Sequence, residues 1–393
     1  MKKRWKYSIC ICLSIVLPLL SLASQEVIAK QKQKEKVNDF DGSKWVIRRD
    51  YGLIAKNVSS VKIGSYANLW EVFLKQKGEK RVKEVDLFHK KKSKFNYYTM
   101  NVVFKNAKNY FPMMQRSLCI DQKNCLLLTG EDVCHLFADH STNKECKQSF
   151  GKYKNQIVEK GVDSDMLAYV KNNRLYLTGY AAIPPKDGEC YKYKTVRSFF
   201  EGKGNKIKEV VCGKFDGYGI SNVFVLMKDG SVWGMGSNKF KMLSQSNQKY
   251  YSDFIKIIPK GIKKIAANSQ NVAAIKNNSS LYVWGNTLRS RKKVYSFRPK
   301  KIAKNVKEVS LSDQEFEGGT VLVYLKRNAV AYGLGENADY ALTDRYKKGW
   351  NKKPVFLRKK IKHVYAAPRA TLLLDKKGKL YWTGTQDGYN QYA

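Results

Sequence analysis

The fold is decided by the stretch Asp229-Gly230-Ser231-Val232-Trp233-Gly234-Met235-Gly236, a tight turn followed by a strand that ends in glycine. Asp-Gly is a strong signal for a hairpin turn, because both residues tolerate positive φ. Strands that end in the same way recur along the chain, with their last glycines at Gly130, Gly179, Gly236, Gly285, Gly335 and Gly384. The spacings are 49, 57, 49, 50 and 49 residues, and a steady period near 50 is typical of a propeller or an array.

Each repeat contains four strand patterns. The glycine-ended strand follows a hairpin turn, and further upstream lies a recurring apolar pattern such as Ile262-Lys263-Lys264-Ile265. The repeats begin at seven similar positions, namely Val58, Ala107, about Ile157, Ile207, Ile262, Val306 and Ile361. Four strands per repeat predict an all-β, seven-bladed β-propeller.

The two ends of the repeat region complement each other. Only nine residues follow Gly384, so the last repeat lacks its fourth strand. The segment Leu53-Ile54-Ala55-Lys56-Asn57 resembles Lys301-Ile302-Ala303-Lys304-Asn305, a fourth strand, and it precedes the first repeat. We therefore predict that an N-terminal strand completes the last blade and closes the ring, which removes two exposed sheet edges.

The stretch Asp229 to Gly236 continues into Ser237-Asn238-Lys239-Phe240-Lys241-Met242-Leu243-Ser244. Together these residues resemble the repeat of the regulator of chromosome condensation (RCC1) family. That repeat runs D-G-x-V-x-x-W-G-x-N-x-x-G-Q-L-G, and Gly335-Glu336-Asn337 to Leu342 is similar to it. Lys241 and Tyr340 stand where the family has its middle glycine, and Ser244 and Thr343 where it has its last. The resemblance covers about 44–393 and implies a seven-bladed propeller, with guanine-nucleotide exchange and histone or DNA contacts as the founding member's activity.

The beginning of the chain has the pattern of a secretory signal. Basic residues precede the apolar stretch Ile9 to Leu20, and signal-peptidase sites end at Ala23 or Ala29. We expect a signal peptide over 1–23, a flexible Lys- and Gln-rich leader over 24–43 and the propeller over 44–393. An uncleaved membrane anchor is the alternative; after removal of the signal no membrane-spanning segment is expected.

The formal net charge is +41, and the excess of lysine is spread along the chain. Such a field favours polyanionic partners and speeds encounters with them. Outside a cell these are anionic wall polymers, anionic lipid surfaces, nucleic acid or an acidic protein, with nucleic acid the less favoured. Lysines on solvated faces without a partner are the alternative.

Six cysteines lie outside the apolar N-terminal stretch, namely Cys119, Cys125, Cys134, Cys146, Cys190 and Cys212. An even number in an exported protein favours disulfides, and six cysteines allow 15 pairings. Cys119 and Cys125 flank a tight turn and could pair across a hairpin. A zinc site of Cys134, His135, His140 and Cys146 is the less favoured alternative to a Cys134–Cys146 bridge.

Candidate binding residues lie around one tryptophan in what the sequence predicts to be a long loop of the sixth blade. An aromatic side chain among cations is a plausible contact for an anionic or protein partner. The candidate residues are Arg345, Lys347, Lys348, Trp350, Lys352 and Lys353. Asp163-Ser164-Asp165 is interpreted as a capped turn rather than a cation site.

No phosphate-binding loop, nucleophile elbow or paired catalytic carboxylates stand out, so neither an enzyme nor a cofactor is expected. The sequence predicts a monomeric, secreted or cell-surface binding protein whose propeller loops hold a protein or an anionic polymer. Intracellular nucleotide exchange of the RCC1 type and a polysaccharide-active enzyme are the two alternatives.

Overall fold

Short strands rich in β-branched and aromatic residues fold into antiparallel sheets throughout the part of the chain that can be described. The computed structural model describes residues 48–66, 69–86, 99–113, 116–122, 126–130, 148–149, 157–163, 166–178, 196–214, 220–286, 288, 295–312, 320–337, 339–346 and 349–385. Within them lie 28 strands and one 3-10 turn, Gly204–Lys206. The predicted signal and leader lie outside the described residues.

The strands fall into seven successive sets of four. The first strands are β2 (Val58–Tyr66), β6 (Ala107–Met113), β10 (Ile157–Asp163), β14 (Ile207–Lys214), β18 (Ile262–Ala267), β22 (Val306–Leu311) and β26 (Ile361–Ala367). The second strands are β3 (Leu69–Gln76), β7 (Arg116–Asp121), β11 (Met166–Lys171), β15 (Ile220–Met227), β19 (Asn271–Lys276), β23 (Val321–Lys326) and β27 (Ala370–Asp375). All seven predicted repeat starts are therefore strand starts.

The third strands are β4 (Val82–Asp86), β8 (Leu126–Gly130), β12 (Arg174–Thr178), β16 (Val232–Ser237), β20 (Leu281–Asn286), β24 (Ala331–Glu336) and β28 (Leu380–Gly384). The fourth strands are β5 (Thr99–Phe104), β9 (Gln148–Ser149), β13 (Val196–Phe199), β17 (Tyr250–Ile258), β21 (Tyr295–Ala303), β25 (Trp350–Arg358) and, from the head of the chain, β1 (Arg48–Ala55). This is an all-β propeller with four-stranded blades.

The count of separate sheets differs from the prediction. The described residues form six hydrogen-bonded sheets, five with four strands and one with eight. The eight-stranded sheet consists of two antiparallel sets, β10–β13 and β14–β17, joined by a parallel pairing of Glu159 with Glu209. The contact between these two first strands merges sheets that the sequence treats as separate.

The core lies between neighbouring sets rather than within one. Second strands are buried on both faces; Val321 to Leu325 in β23 and Ala370 to Leu374 in β27 are examples. One apolar cluster joins Trp382 and Leu372 of the last set to Val58 and Leu74 of the first. These second strands carry apolar groups on both faces because a neighbouring set covers each face.

The first strands form the inner edges of the sets. Each contacts the first strand of the next set, in the order β2, β6, β10, β14, β18, β22 and β26, and β26 contacts β2. We call them inner strands.

A repeated backbone hydrogen bond fixes each inner strand to the preceding set. The first N–H of an inner strand donates to a carbonyl in the preceding turn between the second and third strands. Examples are Ile262 to Gly230 (3.0 Å), Val306 to Ser279 (2.8 Å) and Ile361 to Ala329 (3.0 Å). Val58 donates in the same way to Gly378 of the last set, at 2.8 Å.

The N-terminal strand pairs with the C-terminal one, as the sequence predicts. β1 runs antiparallel to β28, with Gly52 opposite Trp382 and Leu53 opposite Tyr381. The sheet order is β1-β28-β27-β26, so the head of the chain supplies the fourth strand that the tail lacks.

A glycine at or next to the end of four third strands is required by its backbone conformation. Gly236, Gly285, Gly335 and Gly384 have φ between 101° and 114°, which side chains other than hydrogen rarely permit. In three of these strands the pairing with the fourth strand is irregular directly before this glycine.

We predict that Gly378→Ala destabilises the protein more than Gly78→Ala. Both glycines have positive φ, 80° and 78°, but a Cβ on Gly378 would lie 3.0 Å from the Val58 oxygen, whereas one on Gly78 would meet nothing within 4 Å. Gly78→Ala should lower the free energy of unfolding by about 1 kcal/mol and Gly378→Ala by about 2–4 kcal/mol. Denaturant unfolding of the two variants is the measurement, and equal losses would contradict the tight junction between the last and first sets.

Candidate functional site

A lysine occupies the same structural position in five inner strands. In each, the first and third residues pair with consecutive residues of the second strand, so the second residue is the extra one of a β-bulge. These bulge lysines are Lys108, Lys208, Lys263, Lys307 and Lys362. In β2 the bulged residue is Ser59. A bulge redirects one side chain out of the ladder, and here that side chain is a cation.

Neighbouring bulges lie close together. The Lys208 ammonium donates to the Lys263 carbonyl oxygen in the next set at 2.6 Å, so one lysine side chain spans the gap between two bulges. Lys263, Lys307 and Lys362 are exposed, and Lys208 is half-buried. Among the described residues, no carboxylate forms an ion pair with these four ammonium groups.

A glutamate next to a bulge lysine is engaged elsewhere. Glu308 follows Lys307, and its Oε1 accepts the Val364 backbone N–H at 3.0 Å. Its Oε2 lies 3.1 Å from His363 Nδ1. The carboxylate is therefore held between two inner strands and does not neutralise Lys307.

The turns at the starts of the inner strands add more cations. In each set the turn between the second and third strands lies beside the residue that precedes the inner strand, as the bond from Arg327 N to Asn305 O (2.8 Å) shows. The basic residues in these described turns are Lys56, Lys77, Lys80, Arg81, Lys105, Lys203, Lys206, Lys228, Lys260, Lys304, Arg327, Lys359, Lys360, Lys376, Lys377 and Lys379. The acidic residues of the same turns are Glu79, Glu201 and Asp229. We call this surface, together with the bulge lysines, the turn face.

Further along the inner strands a lysine lies among aromatic rings. Lys62 Nζ lies 3.8 Å from the centroid of the Phe111 ring and 3.2 Å from Asn109 Oδ1. Burial lowers the pKa of Lys62 to about 8. Tyr110 donates to the Phe73 carbonyl oxygen at 3.2 Å, and burial raises the pKa of its phenol.

The candidate residues that the sequence places in a loop lie partly in a strand. Trp350 is the first residue of β25, opposite Glu336, and Lys352 and Lys353 follow it on this fourth strand. The reason is that Gly349, at φ 88°, ends the loop and the chain then pairs with β24. Trp350 is half-buried and both lysines are exposed, as is Arg345. Lys347 and Lys348 lie outside the described residues.

The loops that resemble the RCC1 repeat are organised by a buried asparagine. Asn238 accepts the backbone N–H groups of Leu243 and Ser244, both at 3.1 Å, and donates to Gln248 O at 2.9 Å. In the other loop, Asn337 accepts Leu342 N–H at 2.7 Å.

Three of the four residues that stand in place of the repeat's glycines have positive φ. Lys241, Tyr340 and Thr343 have φ of 55°, 60° and 75°, so these side chains adopt the left-handed conformation that favours glycine.

The repeat tryptophans and the aromatic column differ in burial. Trp284 of β20 and Trp382 of β28 are buried, whereas Trp233 of β16 is half-buried. The aromatic residues three before the glycine are half-buried, and cations lie over their rings: Lys256 over Trp233 (5.0 Å), Lys276 over Tyr282 (4.6 Å), Lys326 over Tyr332 (4.8 Å) and Arg358 over Tyr381 (4.1 Å).

The structure gives no support to a disulfide at Cys119. Cys119 is a buried free thiol. In the β7–β8 ladder it lies opposite Leu127, whereas the predicted Cys119–Cys125 disulfide across the hairpin requires Cys125 at that position. Burial raises the pKa of Cys119 to about 12. Cys212 is also buried.

The cysteines Cys125, Cys134, Cys146 and Cys190, the alternative zinc ligands and residues 164–165 lie outside the described residues. The residues that are described contain no group of His, Cys, Asp and Glu that could hold a metal.

The bulge lysines were not singled out from the sequence, although the column Lys208, Lys263, Lys307, Lys362 is visible in the aligned repeats. In the sequence the visible pattern is a lysine as the second residue of each of these strands, followed by a residue that differs among the repeats. What the repeat cannot show is the bulge, because a bulge is a property of the pairing between two strands.

Comparisons with solved structures support the propeller. Human WBSCR16 superimposes with a TM-score of 0.59 at 13% identity, covering 84% of this chain and 88% of that one. Yeast RCC1 (Prp20), in complex with Kap60, superimposes with a TM-score of 0.56 at 14% identity, covering 85% of this chain and 81% of that one. Prp20p from Saccharomyces cerevisiae, in a structure that addresses its binding to Gsp1p and histones, gives the same TM-score and identity.

The sequence matches no protein-family model and no curated protein. At such low identity the structural likeness establishes the fold alone, a β-propeller. The part of the chain that is described contains no helix suited to crossing a membrane.

We predict that Lys62→Met raises stability at neutral pH and removes part of its pH dependence. The folded-state pKa of about 8 lies below the ordinary 10.5, so the unfolded chain binds the proton more tightly. The resulting destabilisation is fully present below pH 8 and disappears as the pH rises towards 10.5. The gain at pH 7 is up to roughly 3 kcal/mol, reduced by the lost contact with Asn109.

Unfolding by denaturant between pH 6 and pH 10 checks this, with Lys300→Met at an exposed position of β21 as the control. An unchanged pH profile in Lys62→Met would show that the Lys62 ammonium is solvated.

Proposed function

We propose that this protein is a non-catalytic binding protein that holds an anionic polymer on the turn face of a closed, seven-bladed propeller. The observation that carries the proposal is the concentration of lysine on the bulges and turns at one end of the inner strands. Lys304 and Lys360 are examples from the turns, and Arg327 adds another cation between them in the chain.

Seven blades in a closed ring are supported by three features of the described residues. Seven sets of four strands follow one another, and the eight-stranded sheet divides into two of them. The inner strands contact one another in sequence from β2 to β26 and back to β2. β1 pairs with β28, and Val58 bonds to Gly378. A ring brings all the turns of one kind to the same face, which is how single lysines from separate repeats form one surface.

An anionic polymer is the partner that this surface favours. The protein carries a formal charge of +41, and the described turns contain few carboxylates to offset it. Cations on short turns remain hydrated and mobile, so they suit a flexible polyanion better than a closely shaped pocket. Such binding is expected to weaken with salt, since the screening length is about 8 Å at physiological ionic strength.

A cavity beside β20 and β21 is smaller than the sites that enclose small molecules. A cavity lined by Trp284, Asn286 and Arg298, among others, has a volume of about 50 Å³. Sites for small molecules measure about 300–1,000 Å³. Neither a polysaccharide-active centre nor a cofactor is part of the proposal.

We further propose that the protein acts outside the cell or at its surface, because the first residues carry the secretory pattern described above. Fractionation of cells that produce the full chain tests this, together with N-terminal sequencing of the exported product. Recovery of the intact chain in the cytoplasm would exclude it.

RCC1-type exchange is the second candidate, and the structural likeness to yeast RCC1 favours it. That protein's studied partners are Gsp1p and histones. Histones are themselves strongly basic, so the turn face would repel them. Exchange on a small GTPase remains testable by nucleotide-release assays, and the intracellular location that it requires is tested by the fractionation.

We predict that charge reversal on the turn face weakens polyanion binding more than the same reversal on the outer strands. Lys304→Glu, Lys359→Glu and Lys377→Glu together change three exposed turn lysines. Lys300→Glu, Lys352→Glu and Lys353→Glu change three exposed lysines of β21 and β25, two of them from the basic patch predicted from the sequence. The turn-face variant should lose about 10-fold or more in affinity for heparin and for a short DNA duplex at low salt, and the outer-strand variant about 3-fold or less.

Titration at two salt concentrations gives the affinities, and the wild-type affinity should itself fall with salt. Equal losses in the two variants would assign the binding to total charge rather than to the turn face. A larger loss in the outer-strand variant would move the site to Trp350 and its neighbours.

A further inference from the structure

We propose that the bulge lysines form a multidentate site for a compact oligophosphate, at the centre of the turn face. This inference rests on the proposed ring and its turn face, and it names the chemistry that the centre of that face selects. The ligand group is a short run of phosphates, whether as an inorganic polyphosphate or as the clustered phosphates of a small molecule.

The β-bulge is the first argument, because it is independent of composition. Six inner strands carry a bulge at the same residue, and five of these residues are lysine. Bulges are structural features that redirect a side chain, and they are common beside binding sites. On a regular strand these lysine side chains would point into the interfaces between blades. At a bulge the residue is the extra one and lies outside the hydrogen-bonded ladder.

The second argument is convergence. Inner strands surround the axis of the ring, so residues at one position of successive inner strands approach one another. The contact from Lys208 Nζ to Lys263 O, at 2.6 Å, shows that adjacent bulges lie within the reach of one side chain. Ammonium groups on adjacent bulges repel one another wherever they come within the screening length of about 8 Å, and a bound anion of high charge density removes that cost.

The third argument is that carboxylates near the bulges are diverted. Glu308 bonds to His363 and to the backbone of Val364, and Glu209 is buried. Lys263, Lys307 and Lys362 therefore present charge to solvent without an acidic partner among the described residues.

Convergence separates this site from the rest of the turn face. The lysines of the turns, here called peripheral, are spread over the turn face and can follow an extended polymer. The bulge lysines lie around the centre of the proposed ring. A rigid duplex that lies across the face cannot enter this centre, but a chain of a few phosphates can. Lysine suits this ligand because each ammonium is a compact point charge with three rotatable donors.

The test compares two triple variants with the same loss of charge. The central variant is Lys263→Gln, Lys307→Gln and Lys362→Gln, and the peripheral variant is Lys304→Gln, Lys359→Gln and Lys377→Gln. Calorimetric titration with sodium tripolyphosphate at physiological ionic strength should show a loss of roughly 30-fold or more for the central variant and of about 3-fold or less for the peripheral one.

Thermal unfolding provides a second readout that does not depend on tight binding. Without ligand, the central variant should melt about 2–4 °C above the wild type, because repulsion between the bulge lysines is relieved. Tripolyphosphate should raise the melting temperature of the wild type and the peripheral variant but not that of the central variant.

Equal effects of the two triple variants on tripolyphosphate binding would overturn the central site, as would an equal rise in melting temperature for all three proteins. Failure of this kind is distinct from failure of the proposed function. If the turn-face reversal still weakens binding of the DNA duplex selectively, the turn face stands without a specialised centre. If it does not, the proposed function itself is wrong.

Discussion

One backbone hydrogen bond, repeated from set to set, determines the arrangement on which everything else depends. The N–H of the first residue of an inner strand bonds to the turn of the preceding set, as in Ile262 to Gly230 and Val306 to Ser279. The bond fixes neighbouring sheets at the end where the inner strands begin. The carbonyl that accepts the bond belongs to the third residue of a hairpin turn that requires positive φ there, even where the residue is Ser279 or Ala329, both at 63°. The same bond from Val58 to Gly378 joins the last set to the first.

Much of the fold could be predicted from the sequence, because it is encoded in local patterns that repeat. The apolar first residue of each inner strand, the glycine with positive φ at the end of each third strand and the likeness of residues 53–57 to 301–305 each have a physical cause. Their consequences appear as the seven strand starts and the pairing of β1 with β28. The sheet count differed because the pairing between Glu159 and Glu209 depends on how closely two neighbouring sets approach.

The candidate site was harder to predict, because it depends on pairing and not on pattern. Lys263 looks like an ordinary exposed residue of a strand until its position between Ile262 and Lys264, opposite consecutive residues of β19, shows it to be a bulge. Trp350 was assigned to a loop because basic residues surround it, yet Gly349 allows the chain to begin a strand there. Lys241 and Tyr340 adopt positive φ although neither is glycine, and in each of these loops a buried asparagine bonds to the backbone.

A basic face built from single residues of many repeats carries an energetic cost that an anion offsets, which links the fold to the function proposed for it. The account depends most directly on the junction between the last and first sets. Hydrogen exchange resolved at single amides tests it in the full chain. The account predicts that the Val58 amide is protected as strongly as the amides of Ile262, Val306 and Ile361, since all four make the same bond. Rapid exchange at Val58, with protection at the other three, would show an open array and would contradict the single basic face.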